Sequence, residues 1–281
     1  MTDIGLRPRS ATELVDVAFQ VFRRAPLQFI VAGAVVYVPW LVIQLVFHLE
    51  IVPAAIPGFG VIGANLVAGI VVYVILGGAI AVLARDVYLE RAPDVGLAYR
   101  TVGRRVVTLL LASLSVLLIL VAAGVVLMIP VAIISAVLGA SSLPVTFLLM
   151  VILFFVAVCY PIARFFAVRQ IVVLEGLGVG RSLGRSSELS VGVKGHVLGT
   201  LVLAALLTIA VSVGATIAAS LVGSSVFLRI TETVIGVCVR PFFSIVETVL
   251  YYDVRIRKEA FDIEYMAGGD SAAAPSANVA I

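Results

Sequence analysis

Charge is scarce in this chain: 12% of its 281 residues are Asp, Glu, Lys or Arg, against 62% hydrophobic, and mean hydropathy reaches +1.22. A soluble domain of this length covers its core with polar surface, and about a quarter of its residues are charged. That solution is excluded, which leaves a body embedded in lipid. Lysine is nearly missing: Lys194 and Lys258 are the only two among 19 basic residues, a bias in keeping with a GC-rich bacterial genome. The net charge of +3 is too small for a nucleic-acid surface. Histidine and cysteine number 2 each. Cys159 and Cys238 lie in apolar runs, so inert thiols are expected rather than a disulfide, and two cysteines alone make no tetrahedral metal site. His48 and His196 fall at opposite ends of different apolar runs and cannot cooperate as acid and base. HExxH, GxSxG and P-loop patterns are missing. The glycine-rich "GLGVGRSLG" (176–184) has no strand before it and no Lys-Ser/Thr after it, so it reads as an interfacial turn. No catalytic residue, metal or cofactor is expected. A signal peptide is excluded too, because "TDIGLRPRSATELVDVAFQVFRRAP" mixes acids and bases around no short apolar core.

What the chain does have is apolar length. A helix crossing a bilayer needs about 20 apolar residues. Such runs occur at 26–49, 62–84, 106–129, 144–163, 197–221 and 233–252, with Pro130 expected to divide the longer stretch from Val106 to Leu138. Each must be helical, because open strands leave backbone groups unpaired in lipid. The expected fold is all-α and polytopic: six transmembrane helices with three cytoplasmic interfacial amphipathic helices. The chain then divides into an amphipathic segment (1–25), a six-helix membrane domain (26–252), a charged helix (253–266) and a small, polar, disordered tail (267–281).

Basic residues set the sidedness. Apart from Arg229 and Arg240, all fall before the first span, in the second or fourth connection, or after the sixth span. The positive-inside rule makes that side the cytoplasm, with both termini inside; a bacterial inner membrane is the expected location. The stretch "LYYDVRIRKEAFD" (250–262) is then the cytoplasmic stop of the last helix. Asp253–Arg257, Arg255–Glu259 and Lys258–Asp262 stand at i,i+4, which favours a continued helix over a short strand "VRIRK". Its charge run reads as a solvated anchor; the sharper alternative is a docking surface for a partner or for anionic lipid.

An amphipathic helix introduces each hairpin: "SATELVDVAFQVFRR", "DVGLAYRTVGRR" and "LGVGRSLGRSSELSVGVKGH". In the first, Ser10 and Glu13 form a capping box, and Leu14, Val17, Ala18 and Val21 share a face. Apolar stripes flanked by arginines lie in a head-group layer, which makes Arg23, Arg24, Arg104, Arg105, Arg181, Arg185 and Lys194 candidate lipid contacts. Small-residue spacings, Ala210-Gly214-Ala218 and Gly77-Ala81, allow close helix contact within the chain, in a homo-oligomer or with a membrane-protein partner.

Three motifs in order, "LRPRSATELVDVAFQVFRRAP", "IVVLEGLGVGRSLGRSSELSVG" and "YYDVRIRKEAFD", span nearly the whole chain. Together they resemble the bacterial membrane-domain family named after glycerophosphoryl diester phosphodiesterase. That name comes from members in which the membrane domain is fused to a separate phosphodiesterase domain. The resemblance implies a multi-pass membrane protein and does not imply catalysis. This chain ends soon after the third motif, so the phosphodiesterase activity is not expected of it.

The polar residues inside the spans remain. Arg240 precedes Pro241 in the sixth span, with Glu247 and Glu232 on either side, and Gln44 lies in the first span near Pro39. A charge at bilayer depth costs at least about 2.5–3.5 kcal/mol and seeks a partner. Arg240 therefore either locks the bundle by pairing with Glu247, Glu232 or a neighbouring polar group, or lines a cavity for an anion or lipid phosphate. The expected function is a non-enzymatic scaffold or lipid-associated accessory component. A small transporter or lipid-handling permease using Arg240 is the alternative, and an intramembrane phospholipid enzyme the third reading.

Overall fold

A computed structural model describes residues 7–46, 59–138 and 143–260. The elements are α1 (Ala11–Arg24), α2 (Pro26–Val46), α3 (Phe59–Tyr88), α4 (Val95–Leu138), α5 (Leu143–Arg164), a short α6 (Val168–Gln170) running into a π turn (Ile171–Glu175), α7 (Val179–Ser190), α8 (Lys194–Ser220), α9 (Ser225–Cys238) and α10 (Arg240–Glu259). Among the described residues there is no strand. Six segments are long and apolar enough to cross a membrane, and the chain is a multi-pass membrane protein of all-α class. The tail 267–281, residues 261–266 of the expected charged helix, and His48 lie outside the described residues.

Neighbour relations close a ring: α2 packs on α3, α3 on α4, α4 on α5, α5 on α8, α8 on α9, and α9 back on α2. α10 runs inside this ring against α3, α8 and α9, with α1 laid across α10, α8 and α3 at one end. The packing centre is the α3–α10 pair. Ala79, Ile80, Leu83, Ile245, Val249 and Tyr251 are wholly buried there.

Two expectations about elements need correction. The second amphipathic stretch is no separate helix: Asp94 caps its start, its Oδ1 accepting from the Leu97 N–H at 3.1 Å, and α4 continues from there through 44 residues. The arginines of "RTVGRR" are good helix formers, and its one glycine costs only about 1 kcal/mol. Pro130 does not divide that run either. It lies inside α4, and helix-breaking residues are tolerated in this way within membrane helices. The sixth span, by contrast, is broken. Pro241 has no N–H to give the Val237 carbonyl, so α9 ends at Cys238 and α10 restarts at Arg240.

The capping box of α1 is formed as expected: the Glu13 N–H donates to Ser10 Oγ at 3.3 Å and the Ser10 N–H to Glu13 Oε2 at 2.8 Å. Donation from the Ser10 backbone holds the Glu13 carboxyl below its ordinary value of 4.5. Leu14, Val17, Ala18 and Val21 do share a buried face, but that face packs on protein rather than on a lipid head-group layer. The helix is a lid on the basic end of the bundle.

Candidate functional site

The four basic segments meet in one layer. Asp253, 1% exposed, collects three donors: the Arg9 backbone N–H at 2.7 Å, Arg257 Nε at 2.8 Å and the His196 ring at 2.9 Å. Arg257 also donates to the Arg9 carbonyl at 2.5 Å, so the N-terminal segment, α8 and α10 are tied at one buried carboxylate. A second network joins the π turn, α7 and α10. Tyr251 donates to Glu175 at 2.6 Å, Arg185 reaches Glu175 at 3.5 Å and Glu259 at 2.5 Å, and Arg255 donates to Glu259 at 2.9 Å. A third explains the π turn itself. Arg105 donates to the carbonyls of Val172 and Val173 at 3.1 and 2.9 Å, satisfying acceptors near the widened turn. Gly176 closes that turn at φ 77, and any Cβ there would strike the Arg105 guanidinium, 2.6 Å away.

These networks sort the candidate head-group residues. Arg105 and Arg185 turn inward to carbonyls and carboxylates, and Lys194 lies 4.5 Å over the Tyr160 ring. Arg23, Arg24, Arg104 and Arg181 stay exposed, with Arg24 reaching Glu90 at 3.4 Å. The run 250–259 is likewise not a solvated anchor. Leu250, Tyr251, Tyr252, Asp253, Val254 and Ile256 are all buried, and the i,i+4 pairs Asp253–Arg257 and Arg255–Glu259 are formed inside the layer. Lys258 donates to the Glu188 carbonyl at 3.1 Å, while Asp262 lies outside the described residues. The helix continues because its faces are covered as far as Ile256; Arg257 and Lys258 are exposed, and it stops at Ala260, left-handed at φ 50.

Within the spans, Glu247 pairs with Arg169 and not with Arg240. Both side chains are 10% exposed, and Arg169 also lies 4.3 Å over the Tyr73 ring, near the Tyr73 carbonyl at 3.5 Å. Gly77 makes room for this arginine, since a Cβ at 77 would collide with its guanidinium. Gln170, 1% exposed, sets its carboxamide beside Glu247 without closing a well-formed hydrogen bond. Counting connections placed Arg169 on the cytoplasmic side; the fold folds it back into the bundle. The signal was its context, because "FFAVRQIVVL" is apolar on both sides of the Arg-Gln pair.

Arg240 is exposed at the break between α9 and α10, donating to the Tyr37 hydroxyl at 3.1 Å and lying 5.6 Å from that ring. Glu232 sits half-buried in the field of Arg240 and Arg229. The Gln44 side chain lies outside the described residues. The Val237 carbonyl freed by Pro241 faces Gly33, where a Cβ would come within 2.8 Å, and the Tyr37 ring lies across Gly236. Glycines thus let α2 and α9 touch at the break. Gly77–Ala81 is used inside the chain, whereas Ala210, Gly214 and Ala218 are exposed.

One chamber of about 520 Å³ lies between α3, α4, α5, α8 and α10, with openings to the bundle surface. Its walls are apolar, including Ile70, Leu117, Ile162 and Leu201, and its ionisable groups are Tyr73, Cys159 and the Arg169–Glu247 pair. It does not include Arg240 among its lining. Among the described residues no three His, Cys, Asp or Glu gather as a metal site. Comparison with family models, with curated proteins and with solved structures gives no match.

Proposed function

We propose that this multi-pass protein is a non-enzymatic, lipid-associated accessory component or scaffold of a bacterial inner membrane, with its basic layer and both termini in the cytoplasm. One observation carries the reading: the arginine-bearing segments converge on one end, leaving Arg23, Arg104 and Arg181 exposed there without an ion pair among the described residues. Exposed guanidinium groups at the rim of apolar spans match anionic head groups, at about 1 kcal/mol each. The resemblance to the glycerophosphoryl diester phosphodiesterase membrane-domain family fits this picture and adds no catalysis. Native mass spectrometry of the purified chain in neutral-lipid nanodiscs doped with phosphatidylglycerol tests it. Anionic lipid should be retained over phosphatidylcholine, and retention should fall when the three arginines become glutamine. Equal retention of both lipids would sink the reading, and hydrolysis of glycerophosphodiesters would replace it with the enzyme.

A second reading has its own observation. The broken α9–α10 segment with Arg240 at the break, beside the Pro39-containing α2, is the geometry of discontinuous helices at transport sites. On that reading Arg240 takes an anion. Proteoliposome uptake of inorganic phosphate should occur and should vanish in Arg240→Leu; no uptake, or uptake unaltered in that variant, removes it.

A further inference from the structure

We propose that the chamber between α3, α4, α5, α8 and α10 binds a long-chain carboxylic acid, which enters with its own proton. The inference goes beyond lipid association and is independent of which way the chain is oriented. Volume and lining come first. A cavity of about 520 Å³ falls within the range of sites for one small ligand, and its apolar walls suit a single hydrocarbon chain better than a two-tailed phospholipid.

The polar end selects the head group. Arg169 and Glu247 together sum to zero charge, so a permanent anion would add an uncompensated charge deep in the bundle. A cation is opposed by Arg169. Among the residues that line the chamber, those with capacity to spare are donors: the Ser113 hydroxyl is buried and without a hydrogen-bond partner, and a guanidinium has five N–H groups of which Glu247 takes few. An acceptor head that brings no net charge satisfies them; an ester offers only its neutral carbonyl, whereas a carboxylic acid can also exchange its proton with Glu247 and reach Arg169 as a carboxylate. Its O–H bond breaks, the proton passes to Glu247, and the new carboxylate takes the place of Glu247 on Arg169. The sum is zero before and after, and no further reactant is needed. The titratable groups facing Glu247 are Arg169 from α6 and the Tyr73 phenol from α3. α5 contributes the Cys159 thiol to the wall, and α4 and α8 contribute Ser113 and apolar side chains.

The test uses the full chain in neutral-lipid nanodiscs with three probes of equal length: palmitic acid, hexadecanesulfonate and methyl palmitate. Palmitic acid should bind saturably. The sulfonate, an anion that brings no proton, and the ester, which has none to give, should each bind at least about tenfold more weakly. Glu247→Gln removes the competing carboxylate and leaves Arg169 unpaired, so that variant should gain sulfonate binding. Ala205→Phe fills the apolar wall without touching the ion pair and should weaken palmitic acid by about tenfold or more. Non-saturable palmitic acid, equal binding of the sulfonate by the unaltered chain, or an unchanged preference in a folded Glu247→Gln variant overturns the proposal. Should that variant not fold, the three-probe comparison on the unaltered chain and the Ala205→Phe result decide.

Discussion

The two central spans and the peripheral ones obey opposite rules. Within an 18-residue apolar stretch of the α3 span, and of the α9–α10 span, 67% of residues are buried inside the protein; in such a stretch of α4 the share is 6% and of α8 11%. Hydropathy runs the other way, at 3.1 for α4 against 1.6 for the α9–α10 span. Lipid is the environment that demands uniform apolarity, because it offers no partner to a polar group. The protein interior offers partners, so it is where Glu247, Thr248 and Asp253 are tolerated. Between these two extremes the less hydrophobic span is the more deeply buried one. Mean apolarity finds the spans but does not rank them for position in the bundle, since α2 at 1.9 is 22% buried and α3 at 2.1 is 67% buried.

That contrast can be broken where it is steepest. Arg169→Leu leaves Glu247 buried without its partner and should cost about 3–5 kcal/mol. Unfolding in detergent micelles followed by helical ellipticity measures it, and replacing both residues by apolar ones of similar volume should recover most of the loss. Within α4 alone, Leu109 is fully buried and Leu118 is 59% exposed. Leu109→Ala should cost about 2–5 kcal/mol, while Leu118→Ala should stay within about 0.5 kcal/mol. Two glycines sharpen the same comparison. At Gly33 a Cβ meets the Val237 carbonyl at 2.8 Å, so Gly33→Ala should cost about 1–3 kcal/mol; Gly214 faces open space, and Gly214→Ala should be neutral or stabilise by up to about 1 kcal/mol. The smallest effect belongs to the lid. Glu13 has its pKa lowered by folding, so its contribution is present above the unfolded value near 4.5 and is lost as pH falls through the folded value. Unfolding midpoints measured from neutral pH to about pH 3 should lose part of their acid-range slope in Glu13→Gln.

Legibility followed from how local each signal was. Six apolar runs, the capping box at Ser10 and Glu13, and the pairs Asp253–Arg257 and Arg255–Glu259 are written within a few residues of one another, and these are present. The α9–α10 break at Pro241 follows from a local rule, the N–H that proline lacks, although the eventual neighbour of the freed carbonyl, Gly33, is about 200 residues away in sequence. The candidate site was legible only in part. Glu247 was singled out correctly as a charge in need of a partner, but proximity in sequence pointed to Arg240. The partner came from the connection after α5, through a turn that doubles back into the bundle.

Composition and the spacing of charge were enough to determine the class of protein, the number of spans and the convergence of the basic segments on one end, because the cost of moving a charge or an unpaired amide into hydrocarbon is several kcal/mol per group and acts on each residue separately. Which arginines look outward, which span lies inside, and which carboxylate meets which guanidinium were decided by tertiary structure alone. Those outcomes depend on pairs brought together from distant segments, and an ion pair or a close helix crossing has no energy until both halves are in place.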